Sequence, residues 1–256
     1  MRYASAPQRR EELLRRLTAA GYVSSAELAD AMGVSDMTIR RDLRLLEEQG
    51  RVRRVMGGAS LPAPAHRGAP FEDRRARSTQ AKRAIAAAAL PLLAGVDSVA
   101  LDAGTTVAGV APSLPAGLTV VSHSLPVLDA CAARTDLEVI GLGGTYVPGT
   151  RSFAGPLTRA AAEDLAVDVV LLSAAGYGPD GLYSANALDA EVKRALLRAA
   201  ARVVLLVDAT KAGVRAPVRF APMGAVDVVL TDHPPEWLDG SVGEIIGVTV
   251  DEVEVG

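Results

Sequence analysis

Cysteine and histidine are scarce in this sequence. It has one cysteine, Cys131, and three histidines, His66, His123 and His233, which lie far apart. A single cysteine excludes an intramolecular disulfide and a metal site built from cysteines, and its place in an apolar helical pattern predicts that it fills the core. The histidines show no metal-ligand spacing. We therefore expect neither a metal nor a cofactor.

Long apolar runs are absent as well. No stretch reaches the roughly 18 apolar residues that a membrane-spanning helix needs. The chain starts MRYASAPQRREE, which contains nothing like the apolar core of a signal peptide. These two absences predict a cytoplasmic protein without a membrane partner.

Charge is distributed unevenly along the 256 residues, whose formal net charge is -3. Residues 1–83 contain 17 Lys and Arg against 10 Asp and Glu, a net charge of +7, whereas residues 84–256 contain 10 against 20, a net charge of -10. This division predicts that contact with a polyanion is confined to the first part. With 49% hydrophobic residues, the chain can form one large or two unequal domains.

Residues 35–43, SDMTIRRDL, have the pattern of a helix with two different faces. At about 100° per residue the apolar side chains form one stripe, and Ser35 stands where its oxygen can cap the first turn. The stripe consists of Ile39, Leu43 and Leu46, and the opposite side carries Met37, Arg40, Arg41 and Arg44. A basic helix face alone is more often solvated surface than a DNA contact.

The preceding residues favour DNA binding. Residues 24–32, SSAELADAM, begin with a Ser-x-x-Glu capping box of Ser24 and Glu27, and a Gly33-Val34 turn leads into the basic helix. A helix, a tight turn and a second helix form the motif that places the second helix in the major groove of DNA.

A third helix and a wing complete this unit. Residues 9–20 repeat leucine at helical spacing. Gly50 ends the basic helix, and residues 51–55, RVRRV, alternate before a pair of glycines, which predicts a basic β-hairpin. Residues 7–60 are therefore predicted to form a winged helix-turn-helix. The candidate DNA-binding residues are Ser35, Met37, Thr38, Arg40, Arg41, Arg44, Arg53 and Arg54.

A linker follows the wing. Residues 61–71, LPAPAHRGAPF, lack periodicity and are rich in proline and alanine, and residues 78–93 then have a helical pattern. We expect a DNA-binding domain at residues 1–60, a linker at 61–78 and a second domain at 79–256. The basic side chains here could contact phosphates, but solvated surface is the expectation that we favour for them: Arg74, Arg75, Arg77, Lys82 and Arg83.

The second domain has an α/β pattern. Short runs rich in β-branched residues alternate with helical stretches such as 124–134 and 188–200. The runs cover residues 99–103, 118–122, 137–142, 167–174, 202–208 and 226–231. Their continuous hydrophobicity predicts a mainly parallel sheet covered by helices on both faces. Ligands of such sheets bind at the carboxyl ends of the strands.

The first of these strands leads into Gly104-Thr105-Thr106 and a helical segment. Backbone amides at the start of a helix, with two hydroxyl groups, suit a phosphate monoester, although a tight turn with a threonine cap fits equally well. The other strand ends are also small and polar. They are residues 122–124, 141–145, 173–176 and 208–211.

Charged residues near these ends have two interpretations. Lys193 and Lys211 could neutralise a phosphate or contact a sugar hydroxyl, or they could be ordinary surface charge. On a helix beginning near residue 188, Asp189 can pair with Lys193, and Glu191 with Arg194, as weak surface ion pairs.

Several motifs occur in the order typical of one known family. They are TIRRDLRLLEEQGRVRRVMGGA at 38–59, KRAIAAAA at 82–89, LDAGTT at 101–106, GLGGTY at 141–146, SFAGP at 152–156, DAEVKRALL at 189–197 and DATKAG at 208–213. From about residue 9 to residue 232 the sequence resembles the DeoR family of bacterial transcriptional regulators. The resemblance implies a repressor of carbohydrate catabolism whose second domain is similar in fold to ribose-5-phosphate isomerase and binds a phosphorylated sugar as effector.

By that resemblance, the Gly104-Thr105-Thr106 loop would hold the phosphate, and other strand-end residues would surround the sugar. The candidate effector-binding residues are Asp102, Gly104, Thr105, Thr106, Ser122, His123, Ser124, Gly143, Gly144, Gly176, Glu191, Lys193 and Lys211.

Two departures from the family pattern leave the sugar open. Ser122-His123-Ser124 stands where the family usually has Thr-Asn-Ser, and residues 176–181, GYGPDG, replace a Gly-Ile-Asp pattern. His123 either contacts the effector or fills a niche, and its place after a strand end favours the pocket.

Two functions follow. One is a ligand-responsive regulator that binds double-stranded operator DNA, at least as a dimer because operators are symmetric. The other is a sugar-phosphate isomerase with a DNA-binding head, in which a carboxylate moves a proton and a cation stabilises the enediolate. Glu191 and Lys193 are of these types, but two residues apart on a helix they point about 200° apart, which favours the regulator over an enzyme.

Overall fold

The computed structural model describes residues 6–20, 22–49, 51–55, 57–60 and 69–250. The chain separates into two compact units, residues 1–64 and residues 65–256. Gly50 and the expected linker residues 61–68, which include His66, lie outside the described residues. Among the described helices, none is both long and apolar enough to cross a membrane.

The first unit is a winged helix-turn-helix, as predicted. Its helices are α1 (Ala6–Ala20), α2 (Ser25–Met32) and α3 (Asp36–Glu48). Its strands are β1 (Tyr22–Ser24), β2 (Arg53–Val55) and β3 (Gly58–Ser60). The wing hairpin β2–β3 is joined by β1 in an antiparallel sheet of order β1-β3-β2. Strand β1 was not anticipated from the sequence because three residues show no period.

Both helix starts in the turn region have serine at the capping position. The Ser35 side chain accepts a hydrogen bond from the Thr38 amide at 3.2 Å, so α3 begins as predicted. The capping box of Ser24 and Glu27 is not formed, since the Ser24 side chain makes no capping hydrogen bond. Ser24 pairs with Gly58 in the sheet, and the neighbouring Ser25 hydroxyl donates to the Gly57 carbonyl at 3.1 Å.

The core of the first unit contains the predicted apolar stripe. Ile39, Leu43 and Leu46 are buried together with Leu13 and Leu17 of α1. A partly buried ion pair also joins α1 and α3. Its atoms are Arg9 Nε and Asp42 Oδ2, 2.6 Å apart. Sequence periodicity did not reveal this pair, because Asp42 lies next to the apolar stripe and appeared to be one more surface charge.

The second unit contains a parallel sheet of order β15-β14-β12-β9-β4-β5-β6. Its strands are β4 (Ser98–Leu101), β5 (Thr119–Ser122), β6 (Glu138–Gly141), β9 (Val167–Leu172), β12 (Ala200–Leu206), β14 (Val228–Thr231) and β15 (Glu244–Gly247). Each of the predicted runs overlaps one of these strands. The half-exposed edge strand β15 was not predicted.

Shorter antiparallel strands also occur in this unit, and the sequence did not indicate them. They are β7 (Thr145–Val147), β8 (Ser152–Ala154), β10 (Gly176–Gly178), β11 (Gly181–Ser184) and β13 (Val218–Ala221). They form a β7-β8 pair and a β10-β11-β13 sheet. The first pair follows the carboxyl end of β6 in the chain, and β10 follows that of β9.

Helices cover both faces of the parallel sheet. They are α4 (Phe71–Arg75), α5 (Thr79–Ala89), α6 (Thr105–Ala108), α7 (Leu125–Ala132), α8 (Pro156–Glu163) and α9 (Ala187–Ala199). Val203 and Leu205 of β12 face one core, and Val204 and Leu206 face the other, as expected for a strand buried on both sides. Cys131 is fully buried in the second core, which confirms its predicted role.

The segment before α5 differs from the prediction. Helix α4 lies inside the expected linker at 61–78, and its Phe71 is only 2% exposed. Five residues are too few to show helical periodicity, which is why the sequence indicated a linker. The α-helix predicted at 78–93 ends at Ala89, and a 3-10 helix, Leu90–Leu93, continues to the predicted end.

Candidate functional site

The structure places the predicted DNA-facing residues of α3 together on one exposed surface. Met37 is 74% exposed, and the side chains of Ser35, Arg40, Arg41 and Arg44 are exposed as well. Beyond these, Thr38 is partly buried and Arg54 of the wing is exposed, while the side chain of Arg53 lies outside the described part of the chain.

Most of these arginines have a carboxylate partner on the same surface. The nitrogen–oxygen distances are 2.6 Å for Arg40–Asp36, 3.1 Å for Arg44–Glu48 and 2.9 Å for Arg54–Glu47. Exposed pairs of this kind contribute about 0–1 kcal/mol, so a DNA phosphate can replace the carboxylate at little cost. Arg41 has no ion pair with any described residue, so its guanidinium is available without breaking one.

A cavity of about 450 Å³ lies in the second unit, where β4, β9 and β12 end. Such a volume suits a small metabolite. Five of the candidate effector-binding residues line the cavity: Gly104, Thr105, Thr106, Lys193 and Lys211. The backbone of Gly104 packs so closely on Ser173 that a Cβ atom there would lie 2.3 Å from the Ser173 Cβ. Only glycine therefore brings the start of α6 to this position.

Positive charge dominates the cavity lining. The cationic side chains are Arg74, Lys82, Lys193 and Lys211, and the carboxylates are Asp189 and Asp208. The whole sequence has three lysines against 24 arginines, and all three lysines line this cavity. The excess of cations makes the cavity suited to an anionic ligand.

Asp102 lies fully buried behind the cavity and joins several donors. Its Oδ2 accepts hydrogen bonds from Lys193 Nζ and from the Ser173 amide and hydroxyl, the last two at 2.9 and 2.5 Å, and its Oδ1 lies 3.2 Å from His123 Nε2. Burial alone would raise the pKa of Asp102, but the charge of Lys193 and the contact with His123 hold it well below its usual range. Asp102 therefore stays ionised and fixes the Lys193 ammonium.

Burial lowers the pKa of the remaining cations of the cavity, because it destabilises their charged forms. Burial lowers the pKa of Lys82 to about 8, against the opposing charge of Asp208. Burial also lowers the pKa of Lys211 and that of Arg74. Among the described residues, no carboxylate pairs with these groups as Asp102 pairs with Lys193, so an anion in the cavity would stabilise their charged forms.

His123 does not line the cavity, contrary to the interpretation favoured from the sequence. It is fully buried, with Nδ1 2.8 Å from the Phe153 carbonyl and Nε2 beside Asp102. Its neighbours Ser122 and Ser124 are buried too. The Ser122 hydroxyl donates to the Leu101 carbonyl at 2.7 Å and accepts from the Ser124 amide at 3.0 Å. This segment supports the site from behind.

Three candidate glycines also lie outside the cavity lining. Gly143 is exposed, and its carbonyl accepts from the Thr158 hydroxyl at 2.8 Å. A Cβ at Gly144 would lie 2.1 Å from Thr158 Oγ1, and one at Gly176 would lie 2.1 Å from the Val214 carbonyl oxygen. Close packing explains the glycines at these two positions.

The charged residues of α9 divide differently from the expected surface pairs. The Asp189–Lys193 pair exists at 3.6 Å, but the Lys193 side chain is only 3% exposed. Glu191 does not line the cavity, and Arg194 donates to the carbonyls of Phe220 and Arg219 instead of pairing with it. Lys193 and Glu191 therefore do not face one ligand.

Sequence reasoning missed several polar residues of the lining. They are Arg74, Lys82, Asn186, Asp189 and Asp208. Arg74 and Lys82 were expected to be solvated surface, yet both reach the cavity from elements that precede the first strand of the sheet. The rarity of lysine was the available signal for Lys82, because a chain that uses arginine almost everywhere else has lysine at three positions.

Each unit matches a family model. Residues 9–65 match the DeoR-like helix-turn-helix domain, and residues 77–233 match the DeoR C terminal sensor domain. The chain is 34% identical over 227 residues to the uncharacterized HTH-type transcriptional regulator YgbI of Escherichia coli, covering 88% of this chain and 89% of that protein. It is 32% identical over 231 residues to the glycerol-3-phosphate regulon repressor of Escherichia coli, with coverages of 89% and 91%.

Another relative is named as an activator and not as a repressor. The L-fucose operon activator of Haemophilus influenzae is 31% identical over 229 residues, covering 88% of this chain and 91% of that protein. Among solved structures, ribose 5 phosphate isomerase A of Neisseria gonorrhoeae has a TM-score of 0.38 and 16% identity, with coverages of 52% and 53%. The eIF2B beta subunit of Chaetomium thermophilum has a TM-score of 0.46 and 15% identity, with coverages of 86% and 65%. Similarities at this level carry no information about a ligand.

Proposed function

Because the chain belongs to the DeoR family of transcriptional regulators, we propose that it represses a carbohydrate catabolic operon and that a phosphorylated sugar or polyol in the cavity controls its binding to operator DNA. The chain is a DNA-binding regulator with a sensor domain. The sign of regulation and the effector are the proposed parts, as is operator binding by at least a dimer.

The cationic lining of the cavity carries this proposal. Four cations and two carboxylates surround about 450 Å³ at the carboxyl ends of parallel strands. The start of α6 adds Thr105 and Thr106, and the first amides of a helix have no acceptor within the helix. Cations and amides suit the phosphate, while Asp189, Asp208 and Asn186 offer acceptors for hydroxyl groups. A phosphorylated, hydroxylated ligand satisfies both kinds of group.

Effector binding would then change operator affinity by favouring one of two states of the regulator. A ligand can shift such an equilibrium only by the difference between its affinities for the two states. The relative named as a glycerol-3-phosphate regulon repressor makes glycerol 3-phosphate a sensible member of the first ligand panel.

The melting temperature of the full chain tests the effector class. We would measure it with phosphorylated sugars and polyols, each beside its unphosphorylated parent. A ligand at 100 times its dissociation constant adds about 2.7 kcal/mol to the free energy of unfolding, which is visible as a shift. We expect one phosphorylated compound to raise the melting temperature and its parent to leave it unchanged.

Variants localise that effect. Lys211→Met should abolish the shift, whereas Arg202→Met, which removes an exposed charge paired with Glu244 at 3.4 Å, should retain it. The same ligand should then release the protein from the DNA upstream of its own gene in a fluorescence anisotropy titration. A shift that survives Lys211→Met would place the ligand elsewhere, and tighter DNA binding with ligand would contradict relief of repression.

The isomerase alternative is not favoured. The full-length relatives are named as transcriptional regulators. Glu191 and Lys193, the acid–base candidates, do not share the cavity, and Lys193 is held by Asp102. Turnover of ribose 5-phosphate by the purified protein would reverse this preference.

A further inference from the structure

Helix α4 brings an arginine into the cavity of the sensor unit. Arg74 lines the cavity, and its Nη2 atom is buried without a hydrogen-bond partner among the described residues. Burying a charged donor unpaired is costly, so native structures rarely leave one without a reason. The Arg74 side chain therefore forms part of the cavity wall and retains one buried donor that the described part of the fold leaves unpaired.

The guanidinium is nevertheless held in place. Arg74 Nε donates to the Ala69 carbonyl at 3.2 Å, and its Cζ lies 5.6 Å from the centre of the buried Phe71 ring. These two contacts orient the planar group and leave Nη2 without a role in the fold. An arginine fork fixed in this way suits the bidentate binding of phosphate.

Contacts that do not involve this guanidinium fix helix α4 itself. The Lys82 ammonium donates to the carbonyls of Arg74 and Arg77, the latter at 2.6 Å. On the other side, Arg151 Nη1 lies 2.8 Å from Glu72 Oε1, and the Arg151 guanidinium lies 5.8 Å from the Phe71 ring. The helix should therefore keep its position when the Arg74 side chain is changed.

The charge of Arg74 interacts with those of the other charged residues of the cavity. Burial lowers the pKa of Arg74, while the charges of Asp189 and Asp102 oppose that change. The charge of Arg74 in turn lowers the pKa of both Lys82 and Lys211. Cations held this close repel one another, and a bound anion would relieve that repulsion.

From these contacts we propose that Arg74 binds the phosphate group of the effector, which makes helix α4 part of the ligand site. The inference rests on the proposed function and deepens it. Helix α4 directly follows the segment that joins the two units in the chain, so effector occupancy would be registered at the start of the sensor unit.

Matched variants of the full chain test this proposal, with inorganic phosphate and the effector found above as probes in isothermal titration calorimetry. Arg74→Gln removes the charge and the fork, Arg74→Lys keeps the charge alone, and Arg75→Gln is the control, an exposed arginine of the same helix 3.7 Å from Glu72. We expect Arg74→Gln to weaken phosphate binding about tenfold or more, as loss of a charge-assisted hydrogen bond predicts. The phosphate affinity of Arg74→Lys should lie between those of Arg74→Gln and the wild type. Arg75→Gln should bind phosphate with the wild-type affinity.

Hydrogen exchange supplies a second readout. Phosphate should slow exchange of the Arg74 and Ala76 amides, which bond to the carbonyls of Pro70 and Glu72, in the wild type and in Arg75→Gln but not in Arg74→Gln. Unchanged melting temperatures without ligand would show that the variants fold. If Arg74→Gln binds phosphate as the wild type does, the proposal is wrong while the proposed function stands. If no variant and no wild type binds any phosphorylated probe, both are wrong.

Discussion

At the scale of single residues, lysine and arginine occupy different environments in this chain. All three lysines line one cavity, whereas the 24 arginines are spread over the whole sequence. An ammonium group is a compact charge whose pKa shifts readily on burial, while a guanidinium stays charged. Lys82 and Lys211, whose pKa values are lowered by burial, are thus the lysines through which pH can change the cavity.

Lys82 makes the effector affinity dependent on pH. Its pKa is lowered to about 8 by burial, and a bound anion favours the protonated form, so affinity should fall as the pH rises through about 8. With one linked proton the fall is at most about tenfold per pH unit. A phosphate monoester has its second pKa near 6, so the ligand keeps a constant charge over this range.

Calorimetric titrations between pH 7 and about pH 9.5 measure this slope. Lys82→Met should reduce the slope, and Arg83→Met, which changes the exposed neighbour, should leave it unchanged. The free energy of unfolding has the opposite trend: the unfolded chain binds more protons at this group above pH 8, so the contribution of Lys82 to stability rises with pH. If effector affinity changes equally with pH in Lys82→Met and Arg83→Met, protonation of Lys82 is not linked to effector binding.

The sequence predicted some members of the site and missed others for a definable reason. Thr105, Thr106 and Lys211 follow strand ends, and strand ends of a parallel sheet converge. Arg74 and Lys82 come from elements before the first strand of the sheet, where no topological rule points to a ligand. His123 also follows a strand end, but its side chain faces Asp102 beneath the cavity.

At the scale of elements, the turn between β4 and α6 depends on Gly104. Gly104→Ala would place a Cβ 2.3 Å from Ser173 Cβ and 2.5 Å from its hydroxyl oxygen. The start of α6 must then move, which should cost about 1–3 kcal/mol of stability and most of the effector affinity. Chemical denaturation and calorimetry measure the two effects.

Gly149→Ala is the matched control, since Gly149 lines the same cavity and a Cβ there would meet nothing within 4 Å. It should leave the free energy of unfolding within about 0.5 kcal/mol of the wild type. Wild-type stability and affinity in Gly104→Ala would show that α6 tolerates displacement and that its position does not define the ligand site.

Elements were predictable in proportion to their length and burial. The β-branched runs of β4, β9 and β12 are buried on both faces and identified the parallel sheet. The three-residue strands of the small sheets were missed, because a period of two cannot be recognised in so few residues. Helix α4 was missed for the same reason, although it contributes Arg74 to the cavity.

At the scale of the whole molecule, charge separates the two activities. The first unit, residues 1–64, contains 11 Lys and Arg against 8 Asp and Glu, a net charge of +3, whereas residues 65–256 contain 16 against 22, a net charge of -6. The basic face formed by α3 and the wing belongs to the first unit. In the second unit the three lysines and Arg74 line a cavity, while other arginines such as Arg75, Arg159 and Arg198 are exposed. This division was visible in the sequence because it depends on composition alone, while the gathering of the lysines required the fold.

Removing one arginine from each unit tests that separation. Arg41→Ala should weaken operator binding by about 1–3 kcal/mol if the side chain contacts a base, because no described residue competes for its guanidinium.

Arg159→Ala makes the same change in charge in the second unit, where Arg159 lies 3.5 Å from Glu163 on α8. We expect its operator affinity to equal that of the wild type, since the net charge of the second unit is negative and the predicted DNA contacts belong to the first unit. Fluorescence anisotropy across a range of salt concentrations distinguishes the possible contacts of Arg41: loss of a phosphate contact lowers the salt slope by about 1, and loss of a base contact lowers affinity without changing the slope. An operator affinity reduced equally by both substitutions would mean that net charge, and not the exposed face of α3, determines binding.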